Sequence, residues 1–216
     1  MGFPGSPSNN VVAGIFIAHL SHFLSVLVLF ELSRIVHPAI SSPRRDRFSF
    51  LAAAFHIISP AGIFLSAPYA ESLFSLLNFT GMYLYAAAQS NNSPLMQWNR
   101  DALTLAAGLS FGLGTTVRSN GLLSGLIFMI DAFQNARSIL YTSNFHVHLR
   151  NLCVTVMAGI LLGLGTIVPQ YLAYMEYCLN SDGDFRPWCV TAIPSIYAGV
   201  QKHYWYVATQ GSGFRS

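Results

Sequence analysis

Long apolar runs separated by short polar interruptions predict a series of membrane helices. A bilayer span takes about 20 apolar residues. Residues 11–36 supply one, spotted with polarity at His19, His22 and Glu31. Residues 48–88 are long enough for two, broken where Pro60, Gly62 and Pro68 interrupt helix propagation. Residues 102–117 and 121–133 follow, separated by Arg118-Ser119-Asn120. Residues 152–177 give the cleanest span, with a kink expected at Pro169. The pattern thus predicts an all-α, polytopic integral membrane bundle of about six transmembrane helices, the second and fifth short. It divides the chain into a polar segment 1–10, a helical region 11–177 and an aromatic-rich segment 178–216.

Composition agrees. Hydrophobic residues make up 53% of the 216 and charged residues 9%, against roughly 25% charged in a soluble domain. The net charge of +3 is small and its basic residues are scattered along loops, which argues against nucleic acid as a partner. Residues 1–10 are rich in Pro, Ser and Gly and lack a basic start, so they resemble neither a signal nor a transit peptide.

Loop charge sets the expected orientation. Arg44, Arg45 and Arg47 lie in the first long loop, with Arg34 just before it; Arg100 lies in the 89–101 loop, and Arg137 and Arg150 in 134–151. The positive-inside rule makes these loops cytosolic. Alternation then places 59–69, 118–120 and the segment from Cys178 together on the opposite, luminal face.

Two charges interrupt that apolar pattern. Glu71 follows Pro68, and Arg118 sits at a helix break. A charge within the bilayer costs on the order of 2.5–3.5 kcal/mol by insertion scales, so it marks a cavity, a partner or a ligand. Arg118 suits bidentate recognition of a phosphate. Glu71 has two readings: a carboxylate complementing the positive end of a helix, or a substrate-facing acceptor.

Other candidates read as structure. Asp182-Gly183-Asp184 offers two hard oxygen ligands of the kind that hold a divalent cation on a nucleotide sugar, but Asp-Gly is first a turn dipeptide, and we assign no metal site. His19 and His22, with Glu31, lack a further close ligand and read as packed histidines. Gly108 and Gly112, Gly121 and Gly125, and Gly159 and Gly163 read as small-residue packing positions. The sequons at Asn78 and Asn91 fall in a span and on the cytosolic side. Cys178 and Cys189 bracket a short polar loop that would permit pairing in an oxidising lumen, whereas Cys153 reads as a buried thiol. The rings at Trp188, Tyr197, Tyr204, Trp205 and Tyr206 fit either an interfacial belt or sugar stacking, and His203 adds an acid/base group.

Four strings in order carry a resemblance. They are Ser-Pro-Ala-Gly-Ile-Phe-Leu-Ser-Ala-Pro-Tyr-Ala-Glu-Ser at 59–72, Thr-Val-Arg-Ser-Asn-Gly at 116–121, Arg-Pro-Trp-Cys at 186–189, and Pro-Ser-Ile-Tyr with a following Gln and His-Tyr-Trp at 194–205. Together they resemble the GPI mannosyltransferase 2 family, with a fungal flavour. The resemblance implies a lipid-donor (C-type) glycosyltransferase fold in the endoplasmic reticulum membrane. It implies transfer of mannose from dolichyl phosphate mannose to a mannosylated GPI intermediate, forming an α-1,6 linkage. No cofactor is implied; membrane lipid and a small membrane partner subunit are. Arg118, Asn120, Glu71, His203, Tyr204 and Trp205 become the expected substrate-binding residues.

The family also carries a Trp-Asp pair in a first luminal loop, upstream of the span matching 11–36, whose aspartate is the expected catalytic carboxylate. No Trp-Asp pair occurs in this chain, and Glu71 is the substitute within it. The chain is accordingly expected to be a central fragment lacking that loop and the C-terminal spans. A non-catalytic polytopic protein, either a transporter or a lipid-binding or partner subunit, is the competing expectation.

Overall fold

In the computed structural model, the described residues are 7–58, 70–90, 97–141, 145–179, 187–190, 195–196 and 199. They form six α-helices: α1 (Pro7–Val36), α2 (Ser42–Ile57), α3 (Ala70–Ser90), α4 (Gln97–Val117), α5 (Gly125–Tyr141) and α6 (Phe145–Tyr174). Two of them, over Asn9–Val36 and Phe145–Leu179, are long and apolar enough to cross a membrane. Large apolar side chains such as Phe16, Phe23, Phe55 and Phe133 are exposed on the helices. That surface suits lipid rather than water, because soluble monomers rarely expose contiguous apolar patches above a few hundred Å².

The helices overlap the expected apolar runs but extend past them. α4 begins at Gln97 and α6 at Phe145, five and seven residues before the apolar runs start. These extra turns mix polar residues with Trp98, Phe145, Val147 and Leu149, since helix hydrogen bonding continues beyond the hydrocarbon while long side chains reach for the polar interface. The fifth helix starts later than expected, at Gly125, because Ser119–Ser124 form a 3-10 turn first. The short second helix is found as expected, over Ser42–Ile57. α6 continues through Pro169 rather than stopping there.

The chain divides into two compact units, Met1–Gly165 and Thr166–Ser216. In the first, α3 packs between α1 and α4, and α2 packs on α1. Its core is Ala107 and Phe111 of α4, Phe128 of α5, and Ala158 and Leu162 of α6. Phe128 meets Phe111 and Tyr85 edge-on, at ring separations of 5.7 and 5.8 Å, the favoured aromatic geometry. Glycines allow the close approach of α4 to α6. A Cβ on Gly108 would lie 2.5 Å from the Ala158 carbonyl oxygen, and one on Gly112 would lie 2.6 Å from that of Leu161. Gly159 and Gly163 have open space instead, so the small-residue pairs of the sequence are not equivalent. In the second unit, α6 ends in a π-helical turn, Met175–Leu179.

Candidate functional site

α4 ends at Val117, and Arg118 then adopts an extended backbone (φ −145°, ψ 127°) before the 3-10 turn begins. Its N–H still donates to the Gly114 carbonyl, at 2.9 Å, so the helix is completed before the chain opens. This single extended residue carries the guanidinium out towards α3. There Glu71 lies in the first helical turn, and Arg118 Nη1 stands 3.1 Å from Glu71 Oε1. The two side chains are 43% and 32% exposed, so the pair is open to a ligand. Among the described residues, this Nη1 contact leaves most of the guanidinium's five N–H donors for other acceptors.

The surrounding packing fixes this break. Gly121 closes the turn through its N–H to the Arg118 carbonyl, at 2.9 Å. A Cβ at Gly121 would meet Thr115 Cα at 2.9 Å, so any larger residue would push the turn off α4. Ser124 donates to Asn78 Oδ1 at 2.7 Å, and Ser110 donates to the Leu77 carbonyl at 2.8 Å. Both bonds tie the break to α3, the helix that carries Glu71. Asn120 is exposed two residues beyond Arg118, on the same turn.

Sequence reasoning missed a second polar cluster. Asp131 of α5 is only 9% exposed; its Oδ2 accepts from Thr155 Oγ1 at 2.7 Å and its Oδ1 from Asn135 Nδ2 at 3.1 Å. His148 Nδ1 stands 3.5 Å from Asn135 Oδ1. Asp131 sits inside an apolar run, which was the available signal. A third cluster joins α1 to α2. Ser25 donates to the His22 carbonyl at 2.7 Å and lies 3.1 Å from His56 Nε2, while the His22 and His56 rings stand 5.2 Å apart. His22 therefore packs against His56, a partner the sequence did not single out, and His19 is exposed.

In the second unit, a disulfide joins Cys178 to Cys189. Gln170 donates to Ser195 Oγ at 3.1 Å and accepts from the Ile196 N–H at 3.0 Å. One amide of α6 therefore grips the start of the motif beginning at Pro194. Cys153 is exposed rather than buried. His203, Tyr204 and Trp205 lie outside the described residues, as do Asp182-Gly183-Asp184, Asn91 and the string from Ser59 to Tyr69. The structure thus brings Glu71, Arg118 and Asn120 to one end of the first unit.

Comparison with known proteins places these features in a family. The family model described as mannosyltransferase (PIG-V) matches residues 8–210. Proteins named GPI mannosyltransferase 2 are 44% identical over 198 residues in Aspergillus oryzae, 43% over 188 in Aspergillus fumigatus and 40% over 214 in Chaetomium globosum. These alignments cover 91%, 87% and 91% of this chain but 45%, 42% and 44% of the relatives. The chain therefore spans less than half the length of the curated relatives it matches. No solved structure matches. With the family model covering nearly the whole chain, the protein belongs to the PIG-V mannosyltransferase family.

Proposed function

We propose that this chain forms part of an endoplasmic reticulum mannosyltransferase that adds the second mannose of the GPI anchor, in α-1,6 linkage, from dolichyl phosphate mannose. The observation that carries the reading is the Arg118–Glu71 pair, which joins two of the strings that resemble the family's own. In the reaction, the acceptor mannose hydroxyl oxygen attacks the anomeric carbon of the donor. The bond from that carbon to the phosphate oxygen breaks, and dolichyl phosphate departs with the bonding electrons. A carboxylate takes the hydroxyl proton; by resemblance this is the aspartate of the upstream Trp-Asp pair.

Arg118 suits the leaving group. Charge grows on the phosphate as the bond breaks, and a fixed guanidinium stabilises that charge without having to reorganise. Glu71 orients the guanidinium through one nitrogen and leaves its remaining edge for phosphate oxygens. Asn120 offers a neutral amide beside it. His203, Tyr204 and Trp205 are assigned to the acceptor side, where rings can stack on sugar faces. A small membrane partner subunit belongs to the same reading.

The test is complementation of a cell lacking the second GPI mannosyltransferase. One arm carries the 216-residue chain; the other carries a chimera in which residues 8–210 replace the matching region of the Aspergillus oryzae relative. Rescue by the chimera alone is expected, because the short chain lacks the expected base. Failure of a stably expressed chimera would contradict the proposal, and rescue by the short chain would move the base to Glu71.

A further inference from the structure

The end of the first unit opposite Arg118 carries an unbalanced charge. Arg34 there pairs with Glu31 and Asp46, at 3.3 and 3.2 Å, and Arg150 pairs with Asp101 at 2.6 Å. Arg150 Nη1 also donates to Gln97 at 2.9 Å, and its guanidinium lies 5.2 Å from the Trp98 ring centroid. The carboxylates of Glu31, Asp46 and Asp101 are thus already engaged. Arg44, Arg45 and Arg47 at the start of α2, Arg100 on α4 and Arg137 on α5 have no carboxylate within ion-pair distance among the described residues. Trp98 and Tyr141, at the same end, are 82% and 80% exposed, as amphipathic rings are at a membrane interface.

One place at this end has the shape of a seat. A groove of about 460 Å³ is lined by Asp46, Arg47, Phe50 and Leu51. Arg44, Arg47 and Leu51 share a face of α2 at i, i+3 and i+7, with Phe50 beside them. That face is charged at the helix start and apolar deeper in, where Phe50 is 65% and Leu51 48% exposed. Asp46 lies 3.2 Å from Arg34, which offsets part of its charge, and Arg44, Arg45 and Arg47 outnumber it on the same helix. An exposed apolar wall topped by unneutralised guanidinium groups matches an amphiphile with an anionic head.

We propose that this groove binds an anionic phospholipid of the adjoining leaflet, its phosphate on Arg44 and Arg47 and its acyl chains along Phe50 and Leu51. The seat is separate from the Arg118–Glu71 site and does not depend on the proposed transfer reaction. It also gives the arginine-rich end an affinity for anionic membrane beyond simple orientation. Each arginine near an anionic surface changes affinity about fivefold, the equivalent of roughly 1 kcal/mol.

The test uses the 216-residue chain reconstituted in an equal mixture of phosphatidylcholine and phosphatidylserine, with retained lipid read by native mass spectrometry. Preferential retention of phosphatidylserine is expected. It should fall about fivefold per arginine removed in Arg44→Gln/Arg47→Gln, hold in Arg44→Lys/Arg47→Lys, and resist competition by inorganic phosphate. Phe50→Ser/Leu51→Ser should weaken retention while leaving the arginines in place. Equal retention of the two lipids, or a preference unchanged in a folded Arg44→Gln/Arg47→Gln variant, would overturn the proposal. If that variant does not fold, a salt series on the unchanged chain decides, since a preference that persists at high salt contradicts a guanidinium seat.

Discussion

Arg118, just past the end of α4, and Glu71, in the first turn of α3, meet at 3.1 Å. An ion pair this exposed contributes only about 0–1 kcal/mol to stability in water. In the proposed reaction its value lies in the direction it gives the guanidinium. In the chimera, Arg118→Ala should lower mannose transfer by about 10²–10³-fold, as expected for losing a preorganised donor to a developing charge. Arg118→Lys should recover little of that, because an ammonium lacks the planar fork. Glu71→Gln should cost less than either. Initial rates at matched protein level check the series, and a Lys variant of normal turnover would leave Arg118 a packing residue.

The Asp131 network predicts a stability effect away from that site. Thr155→Val removes the donor to Asp131 Oδ2 and leaves a buried carboxylate oxygen unpaired, at a cost of about 1–3 kcal/mol. Asp131→Leu removes the charge as well and should cost less than Asp131→Ala, which also leaves a cavity. Thermal unfolding in detergent measures the order, and melting of all three variants at the temperature of the unchanged chain would show the network to be dispensable.

The glycine pairs should separate under substitution. Gly108→Ala and Gly112→Ala put a Cβ against the α6 backbone and should lower the melting temperature, by the equivalent of about 1–3 kcal/mol for overpacking. Gly159→Ala and Gly163→Ala meet open space, and their helix propensity improves by about 1 kcal/mol each. They should be neutral or stabilising. A thermal scan of the four variants distinguishes the two faces of α6, and indistinguishable shifts would contradict this assignment.

Thiol chemistry tests both the disulfide and the orientation. Without reductant, an alkylating reagent should modify Cys153 alone, because Cys178 and Cys189 are joined. After reduction in sealed microsomes, an impermeant reagent should reach Cys178 and Cys189 only once the vesicles are opened. Labelling of Cys178 from the cytosolic side would contradict the luminal placement expected for the segment from Cys178.

The order of helices was legible in the sequence because spans announce themselves by length and polarity. The ends were not, since around Gln97 and His146 polar and apolar residues alternate too closely to extend an apolar run. Arg118 and Glu71 stood out singly as charges beside apolar runs. Their pairing did not, because it requires α3 to pack against the end of α4. Asp131 and His56 were passed over for a related reason. A lone polar residue in a span gains meaning from its partners, and Thr155 and Ser25 lie on other helices. The difference between Gly108 and Gly159 is likewise tertiary, as both belong to equally spaced small pairs.

Microsomes bearing the chimera show whether these residues serve a lipid-donor mannosyltransferase, as proposed. Supplied with dolichyl phosphate [³H]mannose and a GPI intermediate bearing a single mannose, they should form a dimannosylated product sensitive to an α-1,6-mannosidase. The Arg118→Ala chimera should form little of it. A labelled product that appears from GDP-mannose while dolichyl phosphate mannose synthesis is blocked, or equal transfer by the Arg118→Ala chimera, would contradict the account.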